Sequence, residues 1–275
     1  TGTPYRCKGV KARVSRHSLK VLADPAGGVR AQSPDGAVST SSTAPADGLG
    51  RRSRLMWCAP PRTLARKEPE MMLKDKVAVI YGAGGAIGGA VARAFASEGA
   101  KLFLTGHHLA PVEAVAKDIV SAGGSAQAAE VDVLDEQAVD KHLQSVIDKA
   151  GRVDISFNAI GSPDSKILGV PLVELDVEQF SLPIATYTRS YFLTARLAAR
   201  RMVPNKSGVI MRVTTLHSRT GLPLVGGYGA AQAAMEALTR DLSAELAPQG
   251  IRVVGLRPQA MPESVGSRRR FFESR

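Results

Sequence analysis

Val77-Ala78-Val79-Ile80-Tyr81-Gly82-Ala83-Gly84-Gly85-Ala86-Ile87-Gly88-Gly89 sets the architecture of this chain. Its first five residues are a short continuous apolar run, the mark of a strand buried on both faces. A glycine turn follows. Ile87, Val91, Ala94 and Phe95 then recur on one face of a helix. Where a glycine turn joins a buried strand to a helix, the backbone can approach a pyrophosphate, and the N–H groups of the helix start point at the anion. Gly82, Gly84, Ile87 and Gly88 are therefore expected to bind a cofactor phosphate. Glycines also serve plain tight turns; the position between strand and helix favours the phosphate site.

The same alternation continues downstream. Leu102 to Leu104 reads as a second strand, 109–121 as a helix, and Ala126 to Val131 as a third strand. Asp135 is placed to cap a helix running to about Lys149. Val153 to Phe157 is a fourth strand, and Thr186 to Met202 a long helix. A fifth strand covers Gly208 to Val213, a helix Tyr228 to Leu246, and a sixth strand Ile251 to Leu256. Alternating strands and helices call for an α/β fold, a Rossmann-type doubly wound parallel sheet with helices on both faces.

Outside this pattern the ends differ in composition. The chain has 275 residues and a formal charge of +11. Residues 1–70 hold 13 Lys and Arg against 5 acids, residues 265–275 hold 4 against 1, and 71–264 balance at 19 each. The basicity belongs to the two ends, whereas a nucleic-acid-binding domain is expected to carry its own basic face; no nucleic-acid partner is expected. No run of 18 or more apolar residues exists, so no membrane span is expected. Cys7 and Cys58 have no partners at metal-ligand spacing, and no metal is expected.

Residues 1–70 are rich in Gly, Pro, Ser, Ala and Arg and read as a disordered basic leader. Their composition also fits an organelle transit peptide. A third reading is translated sequence upstream of a natural start at Met71-Met72. Location is expected to be cytoplasmic, with import through residues 1–70 as the alternative. Residues 71–263 are the expected domain, and 264–275, with Arg268-Arg269-Arg270, a basic tail.

The glycine turn resembles the T-G-x-x-x-G-x-G turn of the short-chain dehydrogenase/reductase family, with Tyr81 at the threonine and Ala86 at the middle glycine. Further matches come in the family's order. Val131-Asp132-Val133 resembles its D-V step, whose aspartate sits by the adenine; a local turn is the other reading of Asp132. Asp154 to Gly161 resembles D-x-x-x-N-N-A-G, with Asn158 and Gly161 matching. Ile251 to Pro258 resembles I-R-V-N-x-x-x-P. The resemblance implies a final strand beyond the sixth, which is expected to be missing here.

That resemblance implies hydride transfer between a nicotinamide cofactor and a small carbonyl or alcohol substrate. It places Asn158 and Pro258 beside Asp132 in the cofactor site. It also implies a homodimer or homotetramer built on the last two long helices. In Rossmann domains an acid after the second strand holds the ribose of NAD, whereas a basic group accommodates the extra phosphate of NADP. Thr105-Gly106-His107-His108 has no acid there, so NADP is expected, with NAD as the alternative and His107 as a contact.

The family's catalytic group is an Asn, a Ser and a Tyr-x-x-x-Lys. Tyr228 occupies the tyrosine, Thr215 the serine thirteen residues before it, Gln232 the lysine and Tyr187 the asparagine. Thr215 would polarise the substrate oxygen and Tyr228 would donate the proton. The loss of the lysine opens a rival reading: a weak or inactive dinucleotide-binding protein acting through its dimer surface.

Overall fold

The computed structural model describes residues 71–162, 166–258 and 261. The expectations for residues 1–70, for the tail and for a missing last strand lie outside the described residues. Six parallel strands form one sheet: β1 (Val77–Tyr81), β2 (Lys101–Gly106), β3 (Ser125–Glu130), β4 (Ile155–Asn158), β5 (Gly208–Val213) and β6 (Ile251–Leu256). Their order across the sheet is β3-β2-β1-β4-β5-β6. The chain thus moves outward from β1 in one direction, returns, and moves outward in the other. The crevice beyond the carboxyl ends of β1 and β4 is the switch point at which such sheets bind ligands.

Among the described residues five α-helices cover the sheet: α1 (Ala86–Ser97), α2 (Leu109–Ser121), α3 (Glu136–Ala150), α4 (Val177–Met202) and α5 (Tyr228–Leu246). Strand alternation divides the core in two. Ala78, Ile80, Leu102, Leu104, Ile155 and Phe157 pack under α1 and α2 with Ala92, Val112, Val115 and Ile119. Val77, Val79, Tyr81, Ile210, Ile251 and Val253 face α3, α4 and α5 with Leu143, Tyr191, Leu197 and Met235. All five residues of β1 are buried, as a central parallel strand requires. β6, at the edge, buries only Ile251 and Val253.

The expected elements are present, with one correction of substance. The long helix begins at Val177, nine residues before the expected Thr186. Asp176 caps it, its carboxylate accepting from the N–H groups of Glu178 and Gln179 at 2.9 and 3.3 Å. Pro183 lies inside this helix. Proline cannot donate to the helix ladder and reads in a sequence as a boundary, but the cap upstream and packing downstream carry the helix through it. The Asp135 cap on α3 matches expectation: its side chain accepts from Gln137 and Ala138.

Candidate active site

The turn after β1 is built by close backbone approach. Gly82 leaves the strand at φ +76°, and its N–H and that of Ala83 both donate to the Thr105 carbonyl at 2.9 Å. Gly88 is buried one turn into α1, so close that a Cβ there would stand 2.2 Å from the Gly82 carbonyl oxygen. Ala86 opens α1 and is not among the positive-φ residues, so its methyl is accepted at the family's middle-glycine position. Gly84, Gly85 and Ala86 are exposed, and Ile87 is half-buried. The first N–H groups of a helix have no intrahelical acceptor, and no side chain caps α1. This donor set, open to solvent at the switch point, has the chemistry of an anion site.

The other expected cofactor residues surround the same edge. His107 directly follows β2 and is exposed, its ring 4.9 Å from that of His108. Asp132 is exposed beyond β3 and accepts from the Leu134 N–H at 2.8 Å, so its carboxylate also holds a local turn. Asn158 ends β4 and is 1% exposed. Its Nδ2 donates to Thr194 Oγ1 at 2.9 Å, and its Oδ1 accepts from the Ile160 N–H at 3.1 Å and from Arg212 Nη1 at 2.6 Å. What Asn158 offers a cofactor is the fixed position of the loop after β4. Pro258 follows β6 and is half-buried.

The expected catalytic residues come together on the loops after β5 and the start of α5. Thr214 is buried, and its hydroxyl reaches the Leu256 carbonyl and Glu236 Oε1 at 3.2 and 3.3 Å. It ties β5 to β6 and to α5. Thr215 beside it is half-buried and caps a 3₁₀ turn, Leu216–Ser218, by accepting from the His217 N–H. Its hydroxyl proton remains available for an outside oxygen, since no acceptor among the described residues takes it. Tyr228 begins α5, half-buried, its ring 5.8 Å from Tyr187 and 6.3 Å from His217. Gly227 lets α5 start against α4: a Cβ there would be 2.1 Å from the Phe180 carbonyl oxygen. One turn on, Gln232 is 2% exposed, and its Oε1 is buried with no partner among the described residues.

Three groups of this site go unnoticed in the sequence. Arg212 on β5 is 1% exposed, yet no carboxylate pairs with it among the described residues. Its guanidinium lies 5.1 Å from the Tyr187 ring and 5.8 Å from the Tyr191 ring, with Asn158 as hydrogen-bond acceptor. Burial pulls it down to about 10, opposed by the phenols of Tyr187, Tyr191 and Tyr228, so it stays charged at neutral pH. His217 is lowered by burial, which favours the neutral ring. Glu236 gathers Ser218, Arg219 and Arg257 at 2.7, 3.2 and 2.6 Å. Burial alone would raise this carboxyl; the donors Arg257, Ser218 and Arg219 outweigh it and hold it at about 2. The network pins the 3₁₀ turn and the end of β6 to α5. A charge inside the apolar run Gly208 to Val213 was the available signal for Arg212, because interior strands exclude unpaired charge.

A groove of about 820 Å³ between α3 and α4, lined by Glu136, Asp140, Asp148 and Arg200 among others, contains none of these residues. Among the described residues no cluster of His, Cys, Asp and Glu could hold a metal, and no helix is long and apolar enough to cross a membrane.

Residues 76–269 match the family model for short chain dehydrogenases. The chain is 29% identical over 191 residues to the 7alpha-hydroxysteroid dehydrogenase of Escherichia coli K12, covering 70% of this chain and 73% of that one. Among solved structures, it resembles a metagenomic short-chain oxidoreductase in complex with NADP (28% identity, TM-score 0.63, 69% of this chain and 85% of that one). It also resembles an NAD+-bound xylitol dehydrogenase (26% identity, TM-score 0.65, 68% and 71%).

Proposed function

We propose that this chain, which belongs to the short-chain dehydrogenase/reductase family, transfers hydride between NADP(H) and a carbonyl or alcohol of a small molecule, with NAD(H) as the weaker cofactor. The observation that carries the reading is a convergence: the glycine turn after β1, Asn158 at the end of β4, and Thr215 with Tyr228 after β5 all lie at the carboxyl edge of the sheet. The residues fit a dinucleotide. The start of α1 presents uncapped N–H donors to its phosphates, the buried Oε1 of Gln232 lacks a partner that a ribose hydroxyl would supply, and no acid follows β2 to repel a 2′-phosphate. Relatives with NADP and with NAD+ bound support either nicotinamide cofactor.

When bound, the nicotinamide supplies or receives the hydride. The chain's own residues handle the oxygen. Thr215 donates its hydroxyl proton as a hydrogen bond to the substrate carbonyl and fixes its orientation. Tyr228 transfers its phenolic proton to that oxygen as hydride arrives at the carbon, giving the alcohol; in oxidation it takes the proton back. The half-exposed ring lets solvent restore the proton between turnovers. The substrates named for its relatives, a hydroxysteroid and xylitol, share a secondary alcohol and little else, so the proposal stops at that functional group. A homodimer or homotetramer through α4 and α5 belongs to the same reading; Leu182 and Phe192 on α4 are exposed at 43% and 41%.

One observation favours a second reading. Gln232 puts a neutral amide where the family has an ammonium, which suits a protein that binds the cofactor without turning it over. Fluorescence titration with NADPH and NADH, followed by turnover on a panel of ketones and secondary alcohols, separates the two. The proposal expects micromolar NADPH binding, measurable turnover, and loss of turnover in Tyr228→Phe with cofactor affinity kept. Binding without turnover of any substrate favours the second reading, and full activity in Tyr228→Phe removes the proposed mechanism.

A further inference from the structure

A tyrosine that gives up its proton near neutral pH needs a positive charge close by, because its ordinary pKa is about 10. Gln232 cannot provide one. The cation available lies on β5 rather than on α5. Arg212 points from β5 into the layer occupied by α4 and α5, where Tyr187 stands against both it and Tyr228. A buried guanidinium without a carboxylate is costly to keep. Here two aromatic faces and one amide oxygen hold it, while its Nε remains without a partner among the described residues. Two faces and an amide orient the group but do not neutralise it, so its charge is left to act on whatever anion forms nearby.

We propose that Arg212 supplies the positive charge that stabilises ionised Tyr228, taking over from β5 the electrostatic role that Gln232 on α5 cannot fill. This rests on Tyr228 being the proton donor of the reaction proposed above. Arg212 acts through Tyr228 and is a positioning residue.

The surroundings support the choice of Tyr228, packed behind Tyr187, over Tyr187 and Tyr191, the two phenols whose rings face the guanidinium. Tyr191 is fully buried, its hydroxyl bonded to Thr239 Oγ1 at 3.1 Å, and burial pushes it up against the opposing pull of Thr239 and Arg212. Tyr187 is 7% exposed, whereas Tyr228 is half-buried and can exchange its proton with solvent. Tyr228 is also one of the phenols whose charge would act on Arg212, and that coupling is reciprocal. Among the described residues, the ring neighbours of Tyr228 and the polar side chains over the next two turns of α5 are uncharged or already paired. From the 3₁₀ turn comes His217, kept neutral by burial; from α4 comes Tyr187; on α5 itself are neutral Gln232 and, two turns on, Glu236, already engaged by Arg219 and Arg257. In the reduction the phenolic O–H bond breaks as the new O–H bond of the alcohol forms, and the electron pair stays on the Tyr228 oxygen under the field of Arg212.

The test reads Tyr228 directly. The ultraviolet difference absorbance of tyrosinate is titrated in the full-length protein and in Tyr228→Phe, whose subtraction isolates this one phenol. The expected ionisation falls about one unit or more below the ordinary tyrosine value. It stays low in Arg212→Lys, rises by about one unit in Arg212→Gln, and the high-pH limb of alcohol oxidation, followed at saturating NADP+, moves with it. Adding Gln232→Lys to Arg212→Gln brings the limb back down. A Tyr228 step at or above the ordinary value in the unmutated protein overturns the proposal even if Arg212→Gln does not fold. So does a step that Arg212→Gln leaves in place. A low, Arg212-dependent step combined with full activity in Tyr228→Phe would instead sink the assignment of Tyr228 as proton donor.

Discussion

Replacing Gly88 with alanine tests the phosphate turn at its tightest point. The added methyl would sit 2.2 Å from the Gly82 carbonyl oxygen, 2.8 Å from its carbon and 2.9 Å from the Ala83 Cα. All three are backbone atoms, so no side chain can swing away. Ordinary contact begins near 3.4 Å; the start of α1 must therefore retreat from the turn by about 1 Å. Overpacking of this kind costs about 1–3 kcal/mol. For a domain of this size each kcal/mol lowers the melting temperature by roughly 2–4 °C. The larger effect is on binding, because the same shift pulls the uncapped N–H groups of α1 off their line to the anion. Misplacement by about 1 Å can cost on the order of a hundredfold where geometry is critical. Differential scanning fluorimetry should show Gly88→Ala melting several degrees lower, and titration should show NADPH affinity at least tenfold weaker. Gly85→Ala is the stability control: at φ −82° its methyl would meet the Gly82 oxygen at 3.4 Å, so its melting temperature should stay within about 2 °C. Gly88→Ala that melts like the parent and binds NADPH within twofold would refute both the close approach and the cradle built on it.

Two further outcomes are expected. The Glu236 carboxyl is held at about 2 against an ordinary 4.5, so its contribution is complete above pH 4.5 and fades as pH falls towards 2. After allowance for solvent around its arginine partners it amounts to about 1–2 kcal/mol. Glu236→Gln should thus melt lower at pH 7 and lose much of the parent's acid sensitivity between pH 4.5 and 3; identical melting curves for the two proteins across that range would contradict this. His107→Asp places a carboxylate after β2, where it would accept from a ribose hydroxyl and repel a 2′-phosphate. The ratio of NADPH to NADH affinity should drop at least tenfold, and an unchanged ratio would show that the turn after β2 does not meet the ribose.

The legible parts of the fold are those where local pattern and tertiary demand coincide. β1 is a continuous apolar run because it lies at the centre of a parallel sheet, and Asp135 caps α3 because its carboxylate is the acceptor that the helix start lacks. The start of α4 is hard to read for the converse reason. Pro183 reads locally as a stop, whereas the residues that keep this helix together, from Tyr187 to Met202, lie in contact with strands far away in sequence. The cap at Asp176-Val177-Glu178-Gln179 carried the correct boundary and outweighs the proline once the downstream packing exists.

The site divides along a similar line. The positions of Gly82, Gly88, Thr215 and Tyr228 in the fold can be read from sequence because each sits at a fixed offset within one strand–turn–helix unit. Arg212 cannot, since its meaning depends on a three-dimensional coincidence: Asn158 from β4 and Tyr187 and Tyr191 from α4 meet it, and Tyr228 from α5 packs on the same Tyr187. Counting along α5 finds only that the ammonium is gone. Yet field strength depends on distance and dielectric, not on which element carries the charge. A guanidinium in a dry layer of tyrosines therefore satisfies the same physical requirement from another strand, and a search restricted to the helix that bears the tyrosine would read this chain as inert. The resemblance puts Tyr187 at the family's asparagine position, and the proposal gives its ring a use there. An aromatic face there can hold the guanidinium at 5.1 Å without pairing with it, and so leaves its charge for Tyr228.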